Sequence, residues 1–257
     1  MKKILMFLMA IVCMAVVAGC GGGDKAPSAQ NEKVLKVGLD VNFPPFEYYQ
    51  ESSKAFTGFD VELMRGVAEN MGYSNVEFVP TGLGDLIKGL NDKKYDVVVS
   101  GFSITPERQN QVDFSEPYLH DGFRVAVPAG SNIKGGVEVL EGRRVAVKDN
   151  SFALDMVNEY GKASQVITTE SIEAAMNKVI DGEADCCIIS KSAGNFFINN
   201  GYGDKIKFAS DDLKTDSVAA AVRKGDKELL NSLNEGLRNF RKSQEFDRLK
   251  KNYFGDM

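Results

Sequence analysis

The sequence lacks several features on which common classes of protein depend. Its 257 residues contain one histidine, His120, and four cysteines, and these are not spaced like the ligands of a metal site. Basic residues are not in excess, since 31 Lys and Arg stand against 36 Asp and Glu, a net charge of −5 at pH 7. Such a chain has no basic stripe to neutralise a row of phosphates. We therefore expect no metal, no cofactor and no nucleic-acid partner.

Long apolar runs are equally scarce, and the one near the start of the chain is residues 4–17, which follow Lys2 and Lys3. This run is shorter than the roughly 20 residues that cross a bilayer, and the charged start is typical of a signal peptide. Small residues then lead to Cys20, a pattern that resembles a bacterial lipoprotein signal. An ordinary signal peptide that contains a cysteine is the alternative. We predict that residues 1–19 are removed and that Cys20 carries the lipid.

Residues 20–33 show no apolar periodicity and are rich in glycine near their start. About 13 residues of this kind span roughly 20 Å root-mean-square, so we predict a flexible tether. Residues 1–19 contain two of the 31 basic side chains and none of the 36 acidic ones, so the net charge without them is −7. We expect a globular domain that lipid anchors to the extracytoplasmic face of the cell membrane, in the periplasm or on the outer surface, without crossing the bilayer.

Two cysteines remain once Cys13 leaves with the signal peptide and Cys20 is lipidated. Cys186 and Cys187 are adjacent in an apolar segment, and neighbouring side chains of a strand point to opposite faces. A disulfide between neighbours would be strained. We therefore expect both to be buried as small apolar side chains.

From residue 34 onward, short apolar segments alternate with amphipathic ones over about 224 residues, enough for one large or two modest domains. Apolar runs without polar alternation favour parallel strands that helices cover on both faces. The predicted strands are residues 34–40, 76–80, 96–100, 143–149, 184–190 and 216–225. The predicted helices are residues 60–72 with Asp60 as N-cap, 85–93, 170–182, 192–201, 226–243 and 244–254.

Two segments, "LNDKKYDVVVSG" and "VIDGEADCCIIS", share an outline of helix end, turn, aspartate, apolar strand and serine. This internal similarity predicts two lobes built to one plan. We expect lobe 1 to comprise residues 34–122 and 218–257, and lobe 2 to comprise residues 123–217. The chain would then cross twice between the lobes, which gives a hinge and a cleft.

The first predicted strand ends in a polar and rigid segment, and ligands of open α/β sheets bind beyond such carboxyl ends. Asp40 ends this strand, and Phe43 and Phe46 flank two prolines. Because proline fixes φ, the turn can hold an aromatic ring at the edge of a cleft. We predict that Phe43 lies in the cleft and Phe46 in the core, and the alternative is that both lie in the core.

A second polar strand end is "SGFSITPER", residues 100–108. The threonine before the proline is a natural N-cap, which places Arg108 in the first helical turn, where its charge opposes the helix dipole. The planar guanidinium matches a ligand carboxylate, and Ser103 would add a further donor. The alternative is a surface arginine that pairs with Asp113 or Glu116.

The chain contains in order the segments "DVNFPPFE", "GFDVELMRGVAENMG", "DVVVSGFSITPERQNQVDFSEPY" and "VAAAVRKGDKELLNSLNEGL". Together they resemble the extracellular solute-binding proteins of amino-acid ABC transporters, and the resemblance covers essentially all of residues 34–257. It implies an α/β, two-lobed periplasmic binding protein of type 2. Such a protein acts as a monomer, closes about its hinge on an amino acid or related small carboxylate, and delivers it to the membrane permease.

By position, the resemblance also assigns roles to the polar strand ends of lobe 1. Arg108 would clamp the α-carboxylate of the ligand with help from Ser103, and the carbonyl of Ser100 would accept from the ligand ammonium. The remaining lining from this lobe would be Asp40, Phe43, Leu83, Gly101 and Phe102.

Lobe 2 departs from the family pattern at two positions. Asn150, Ser151 and Phe152 stand where the family has a Gly-Thr-Thr-like turn, so a ring replaces a hydroxyl. Phe152 could form an aromatic sandwich with Phe43 around a flat side chain, and the alternative is that it packs under its own helix. Ser190 stands where the family has an aspartate for the ligand ammonium, and loss of such a partner costs roughly 2–4 kcal/mol.

Three explanations for Ser190 are open. The ligand is a carboxylate without an α-amine, which we favour. Otherwise, the ammonium of an amino acid finds another acid, Asp149 or Asp155. In the third explanation the alignment is shifted by a residue or two, and the nearby acid is then Asp185, which precedes the strand.

The runner-up function is an enzyme on the same scaffold, since cyclohexadienyl dehydratases resemble these binding proteins and need a general acid in the cleft. The predicted strand ends carry no paired carboxylates and no histidine–carboxylate pair, and His120 at the hinge crossing is expected to be structural. We therefore predict a binding protein and not an enzyme. A sensory module that presents its closed state to a receptor is a third interpretation, which the sequence leaves open.

Overall fold

The computed structural model describes residues 33–255, which belong to one compact unit. The predicted signal peptide of residues 1–19, the lipidated Cys20 and the tether up to residue 32 lie outside the described residues. Within the described range, every helix is too short or too polar to span a bilayer.

Strands and helices alternate along the described chain. The strands are β1 (Val34–Leu39), β2 (Asn42–Phe43), β3 (Glu47–Gln50), β4 (Ala55–Thr57), β5 (Asn75–Pro80), β6 (Val97–Val98), β7 (Val112–Phe114), β8 (Leu119–Pro128), β9 (Arg144–Lys148), β10 (Gln165–Thr169), β11 (Cys186–Ser190), β12 (Ile206–Phe208), β13 (Lys214–Val218) and β14 (Ala221–Arg223). The helices are α1 (Phe59–Asn70), α2 (Leu86–Asn91), α3 (Pro106–Gln111), α4 (Phe152–Tyr160), α5 (Ile172–Ile180), α6 (Lys191–Phe197), α7 (Lys227–Phe240) and α8 (Gln244–Phe254).

Two large sheets organise the chain. The first has the strand order β5-β1-β6-β14-β7, in which β1 runs parallel to β5 and β6 while β14 runs antiparallel to β6 and β7. The second has the order β10-β9-β11-β8-β12, and β13 also pairs with β8. This architecture is the α/β, two-lobed fold that the sequence predicts. Both sheets are mixed rather than parallel, because β8 and β14 run against their neighbours.

The chain passes from the first sheet to the second just before β8 and returns just after β13, and these two strands pair with each other antiparallel. The predicted strand at residues 216–225 is in fact two strands, β13 in the second sheet and β14 in the first. The division falls where the chain leaves one sheet for the other, and the continuous apolar run of residues 218–222 did not indicate it.

Helices cover both faces of each sheet, which is why the buried strands carry apolar side chains on both sides. One face of the first sheet lies under α1, α7 and α8, whose core includes Phe59, Met64, Leu237 and Phe246. The other face lies under α2. In the second sheet α4 covers one face, while α5 and α6 cover the other. Phe46 is wholly buried in the first core, as predicted.

The prediction that Asp60 is the N-cap of α1 is wrong. The helix begins at Phe59 after Gly58, and Asp60 is fully buried within its first turn. Gly58 has φ +126°, and a Cβ there would lie 2.3 Å from the carbonyl oxygen of Phe46. This close approach fixes how the chain enters α1, and it turns the carboxylate of Asp60 inward.

Cys186 and Cys187 lie side by side in β11, both wholly buried and both free. Burial raises the pKa of Cys186 to about 12 and that of Cys187 further. Both thiols are therefore unreactive core side chains, as the sequence predicts.

Candidate functional site

A cavity lies where strand ends of the two sheets face each other. Its volume is about 40 Å³, which is small because the two sides are in direct contact through Arg108 and Lys148. Its lining includes ten of the eleven residues that the sequence suggested: Phe43, Leu83, Ser100, Gly101, Phe102, Ser103, Arg108, Ser151, Phe152 and Ser190. Asp40, the eleventh, lies in an adjacent groove. The sequence did not single out Phe123, Lys148, Ala153, Ile172, Ile188 and Ile189.

Arg108 connects the two sides of the cavity. Its Nη1 donates to the carbonyl oxygen of Ser103 at 3.0 Å, and its Nη2 donates to the carbonyl oxygen of Asn150 on the opposite side at 3.2 Å. The guanidinium carbon lies 4.1 Å from the centroid of the Phe102 ring, which supports it from below. These bonds engage two of its five N–H donors, so the fork keeps donors for a carboxylate.

The alternative that Arg108 is a surface arginine paired with a neighbouring acid does not hold. Asp113 pairs with Lys224 at 3.0 Å, and Glu116 pairs with Arg238 at 2.6 Å. Loss of hydration lowers the pKa of Arg108 to about 10, although the charges of Asp155 and Asp216 oppose this shift.

Local sequence explains where this arginine points. Thr105 is the N-cap of α3, as predicted, and its hydroxyl accepts from the backbone N–H of Arg108 at 3.2 Å. Pro106 follows at the first helical position, where its missing N–H is not needed. The cap thus holds Arg108 one turn beyond the serine loop that follows β6.

Two buried carboxyl groups hold that loop in place. The hydroxyl of Ser100 donates to Oε1 of Glu47 at 2.6 Å and accepts from the backbone N–H of Asp40 at 3.1 Å. The backbone N–H of Gly101 donates to Oδ2 of Asp60 at 2.6 Å, and the Tyr118 hydroxyl donates to the same oxygen at 2.8 Å. Burial raises the pKa of Asp60 to about 7 and that of Glu47 well above its usual range.

Gly101 is required by the shape of the loop. Its φ is +48°, and a Cβ at this position would lie 2.4 Å from Cε1 of the Phe43 ring. Phe43 therefore packs directly over the loop. Its nearest aromatic partner is Phe46, with ring centroids 4.7 Å apart.

Lys148, the last residue of β9, forms an ion pair across the cavity that the sequence analysis missed. Its Nζ lies 2.5 Å from Oδ2 of Asp40, and the two side chains are only 6% and 7% exposed. Removing one partner from such a buried pair leaves an uncompensated charge, at a cost of roughly 3–5 kcal/mol. A lysine at the end of an otherwise apolar buried strand was the signal that could have revealed it.

The turn after Lys148 brings the second sheet against the first. Asn150 has φ +55°, a left-handed conformation that asparagine tolerates better than most residues. Its amide lies so near Gly84 that a Cβ there would stand 2.8 Å from Nδ2. Ser151 caps α4, accepting from the N–H of Leu154 at 3.3 Å and donating to the carbonyl of Lys148 at 2.6 Å.

Phe152 and Phe43 line the same cavity, yet each has its aromatic partner on its own side. The ring of Phe152 meets that of Phe123 with centroids 5.2 Å apart, and it packs against the core under α4. The alternative, packing under its own helix, is therefore present, and the ring also reaches the cavity, while its aromatic partner is Phe123 rather than Phe43.

Ser190 is an N-cap as well as a lining residue. Its hydroxyl accepts from the backbone N–H of Ala193 at 3.2 Å, at the start of α6. Asp121 on β8 supports the same turn, since its Oδ1 accepts from the N–H of Ser192 at 3.3 Å. Asp216 is the partner of Asp121 in the β8–β13 ladder, and burial raises its pKa to about 6.

The other acids considered for a ligand ammonium are placed differently. Asp149 is exposed, and its carboxylate accepts from the backbone and side chain of Asn150. Asp155 on α4 interacts electrostatically with Arg108. Asp185 pairs with Arg144 at 2.7 Å. Within residues 33–255, no group of three His, Cys, Asp or Glu could hold a metal ion.

The sequence matches a known family of proteins over nearly all of the described residues. The family described as "Bacterial extracellular solute-binding proteins, family 3" matches residues 35–256. The "Probable histidine-binding protein" of Neisseria gonorrhoeae is 30% identical over 263 residues, which cover 99% of this chain and 96% of that protein. The "Arginine-binding extracellular protein ArtP" of Bacillus subtilis (strain 168) is 29% identical over 260 residues, 99% of this chain and 98% of that protein.

Solved structures agree with the sequence matches. The "ancestral amino acid-binding protein AncCDT-1, a precursor of cyclohexadienyl dehydratase" has a TM-score of 0.77 and 31% identity, and the match covers 86% of this chain and 95% of that one. The family match runs through both sheets, and therefore through every element that lines the cavity.

Proposed function

Because the chain belongs to the bacterial extracellular solute-binding proteins of family 3, we propose that it is the substrate-binding lipoprotein of an ABC importer. Lipid on Cys20 anchors it to the extracytoplasmic face of the cell membrane, and residues 21–33 tether a monomeric domain. Its lobes, residues 34–122 with 218–257 and residues 123–217, close on an amino acid or related small carboxylate. The closed form then delivers the ligand to the permease.

The observation that carries this proposal is the position of Arg108. Its guanidinium already bonds to main-chain carbonyls on both sides of the cavity. A carboxylate held by this fork, with a donor from Ser103, would lie where the two sides meet, and a ligand bound there gains its contacts with Ser151, Phe152 and Ser190 only when the two sides are together. Ligand binding therefore favours closure, since a ligand shifts an equilibrium by its difference in affinity for the two states.

The lining favours binding over turnover. Among the described residues that line the cavity there is no carboxylate and no histidine to act as a general acid. The histidine of the chain, His120, lies at the start of β8 and shares a 3.2 Å contact with the hydroxyl of Ser217. The relatives named above are binding proteins, and AncCDT-1 is itself described as amino acid-binding.

The ligand we favour is a small carboxylate without an α-amine. Ser190 engages its hydroxyl at the start of α6, and a neutral hydroxyl does not neutralise an ammonium. The carbonyl of Ser100 remains as one acceptor. The relatives are named for histidine and arginine, which both carry an α-amine, so their names favour the other class of ligand.

A thermal-shift screen tests the proposal. The purified protein is unfolded and refolded to remove carried-over ligand, then heated with the common amino acids, their keto and hydroxy analogues, and small aromatic carboxylates. A ligand at 100 times its Kd stabilises the folded state by about 2.7 kcal/mol, which raises the melting temperature by several degrees. We expect amine-free carboxylates to give the largest shifts.

Two variants make the result specific to the site. Arg108→Ala should abolish the shift, whereas Arg248→Ala, which removes an exposed arginine on α8, should keep it. A shift that survives in Arg108→Ala refutes the carboxylate clamp. Silence across all compounds, followed by turnover of prephenate or arogenate, would favour the dehydratase instead.

A further inference from the structure

The ion pair between Asp40 and Lys148 joins the two sides of the cavity at a buried position. Asp40 follows β1 of the first sheet and Lys148 ends β9 of the second. Oδ2 of Asp40 meets the lysine Nζ, and its Oδ1 accepts from the backbone N–H of Asn42 at 3.1 Å. Both carboxylate oxygens are therefore engaged.

Lys148 also forms a wall between two spaces. On one side it lines the cavity beside Arg108. On the other it lines an open groove that carries the acids Asp40, Asp85, Asp149 and Glu170. The lysine side chain thus separates the cavity from the acidic groove.

The ammonium of Lys148 shows that Asp40 binds a positively charged group. The Asp40 carboxylate is 93% buried and lies within hydrogen-bond distance of an ammonium, so the space beside it is a binding position for a cation. The cation present there belongs to the protein itself. A basic ligand that reached Asp40 would have to displace Lys148, and it would leave that ammonium buried without its partner.

The charges around the cavity point the same way. Its lining contributes two cationic side chains, Arg108 and Lys148. Lys148 is neutralised by Asp40, which leaves Arg108 to attract one carboxylate. A ligand with an additional positive group at its far end would find Asp40 already occupied by the Lys148 ammonium, so its own charge would have no acidic partner there.

Resting on the proposed function, we propose that Lys148 is a specificity-determining residue that fills the cation position at Asp40 and excludes basic ligands from the cleft. The ligands of this site are then carboxylates whose far end is neutral. Replacing Lys148 with a neutral side chain should open Asp40 to the positive end of a ligand and convert the specificity.

Calorimetric titration with matched ligand pairs tests this inference. One pair is arginine and citrulline, and the other is 4-guanidinobutanoate and 4-ureidobutanoate, which lack the α-amine. Within each pair the shape is similar and only the charge of the far end differs. Wild type should bind the neutral member more tightly, and Lys148→Met should improve the affinity of the cationic member by about 10- to 100-fold, the equivalent of one charge-assisted hydrogen bond.

Two further variants separate the cause from its side effects. Lys148→Met combined with Asp40→Asn keeps the cavity open and removes the acid, so the gain should disappear. Lys178 lies on α5, pairs with Glu183 at 2.5 Å and is not part of the cavity lining. Lys178→Met should therefore leave the preference unchanged. If Lys148→Met does not fold, as judged by circular dichroism, Lys148→Gln carries the same comparison.

The inference is overturned if wild type binds the cationic member of a pair as tightly as the neutral one. It is equally overturned if neither Lys148 variant gains affinity for a cationic ligand. These outcomes differ from failure of the proposed function, which would appear as a wild-type protein that binds no carboxylate, or as an Arg108→Ala variant that binds as well as wild type.

Discussion

Replacing Asp60 with asparagine should remove a loss of stability that the wild-type protein undergoes as the pH rises from about 4 to about 7. Asp60 lies under the loop that carries Ser100 and Arg108, and its Oδ2 accepts from Gly101 and Tyr118. The amide oxygen of asparagine can accept the same two bonds. The amide nitrogen would then lie towards Glu47, which supplies an acceptor.

The size of the effect follows from the pKa of Asp60, which burial raises from 3.8 to about 7. Between these values the folded state holds a proton that the unfolded state has released. Stability from this group is therefore full below pH 3.8 and declines as the pH rises through 7. A shift of about three pKa units corresponds to about 4 kcal/mol, so the variant should gain about that much relative to wild type between pH 4 and pH 8.

Urea unfolding followed by circular dichroism at pH 4, 5.5, 7 and 8 measures this difference directly. Asp185→Asn is a control of opposite sign, because hydrogen bonds from Arg144 lower the pKa of Asp185. Its contribution is present at neutral pH and lost as the pH falls, so that variant should approach wild-type stability in acid. The reasoning is refuted if the gap between wild type and Asp60→Asn is the same at pH 4 and pH 8.

Two other substitutions probe the loop and the anchor. Gly101→Ala should destabilise the protein by about 1–3 kcal/mol and weaken ligand binding, because φ is +48° and a Cβ would clash with the Phe43 ring. Urea unfolding measures the stability and the thermal-shift screen measures the binding. Wild-type stability in this variant would contradict the loop geometry. Cys20→Ala should move the protein from the membrane fraction to the soluble extracytoplasmic fraction while its ligand affinity stays unchanged. Continued membrane association of that variant would refute the lipid anchor.

The sequence predicted much of the fold because its signals are local. Apolar runs without alternation located β1, β6 and β11, and amphipathic spacing located α1, α5, α7 and α8. Thr105 was recognisable as a cap because threonine before proline supplies both parts of a helix start. The split of residues 216–225 into two strands was missed, because an apolar run looks the same in the sequence whether its residues pair within one sheet or within two.

The site was predicted less completely, and for a different reason. Arg108 was singled out because its charge is unfavourable at a helix start, and its role as a carboxylate clamp came from the family resemblance. Lys148 was missed because its partner, Asp40, is 108 residues away in the sequence, and the residues next to Lys148 do not indicate that Asp40 lies beside it in the fold. Asp60 was assigned as a cap on local grounds, whereas its bonds to Gly101 and Tyr118 arise only in the folded chain.

The strand order of the first sheet also bears on how the polypeptide folds. In the described residues, β7 pairs with β14, and β14 also pairs with β6. Residues 221–223 are therefore the piece that joins the two parts of a sheet whose other strands appear before residue 115. A nascent chain cannot complete this sheet until nearly all of its length is available, while β8 to β13 can assemble earlier. Synthesis order and assembly order thus differ, and a chain truncated before residue 221 contains every strand of its second sheet but lacks the strand that completes the sheet on the Arg108 side of the cleft.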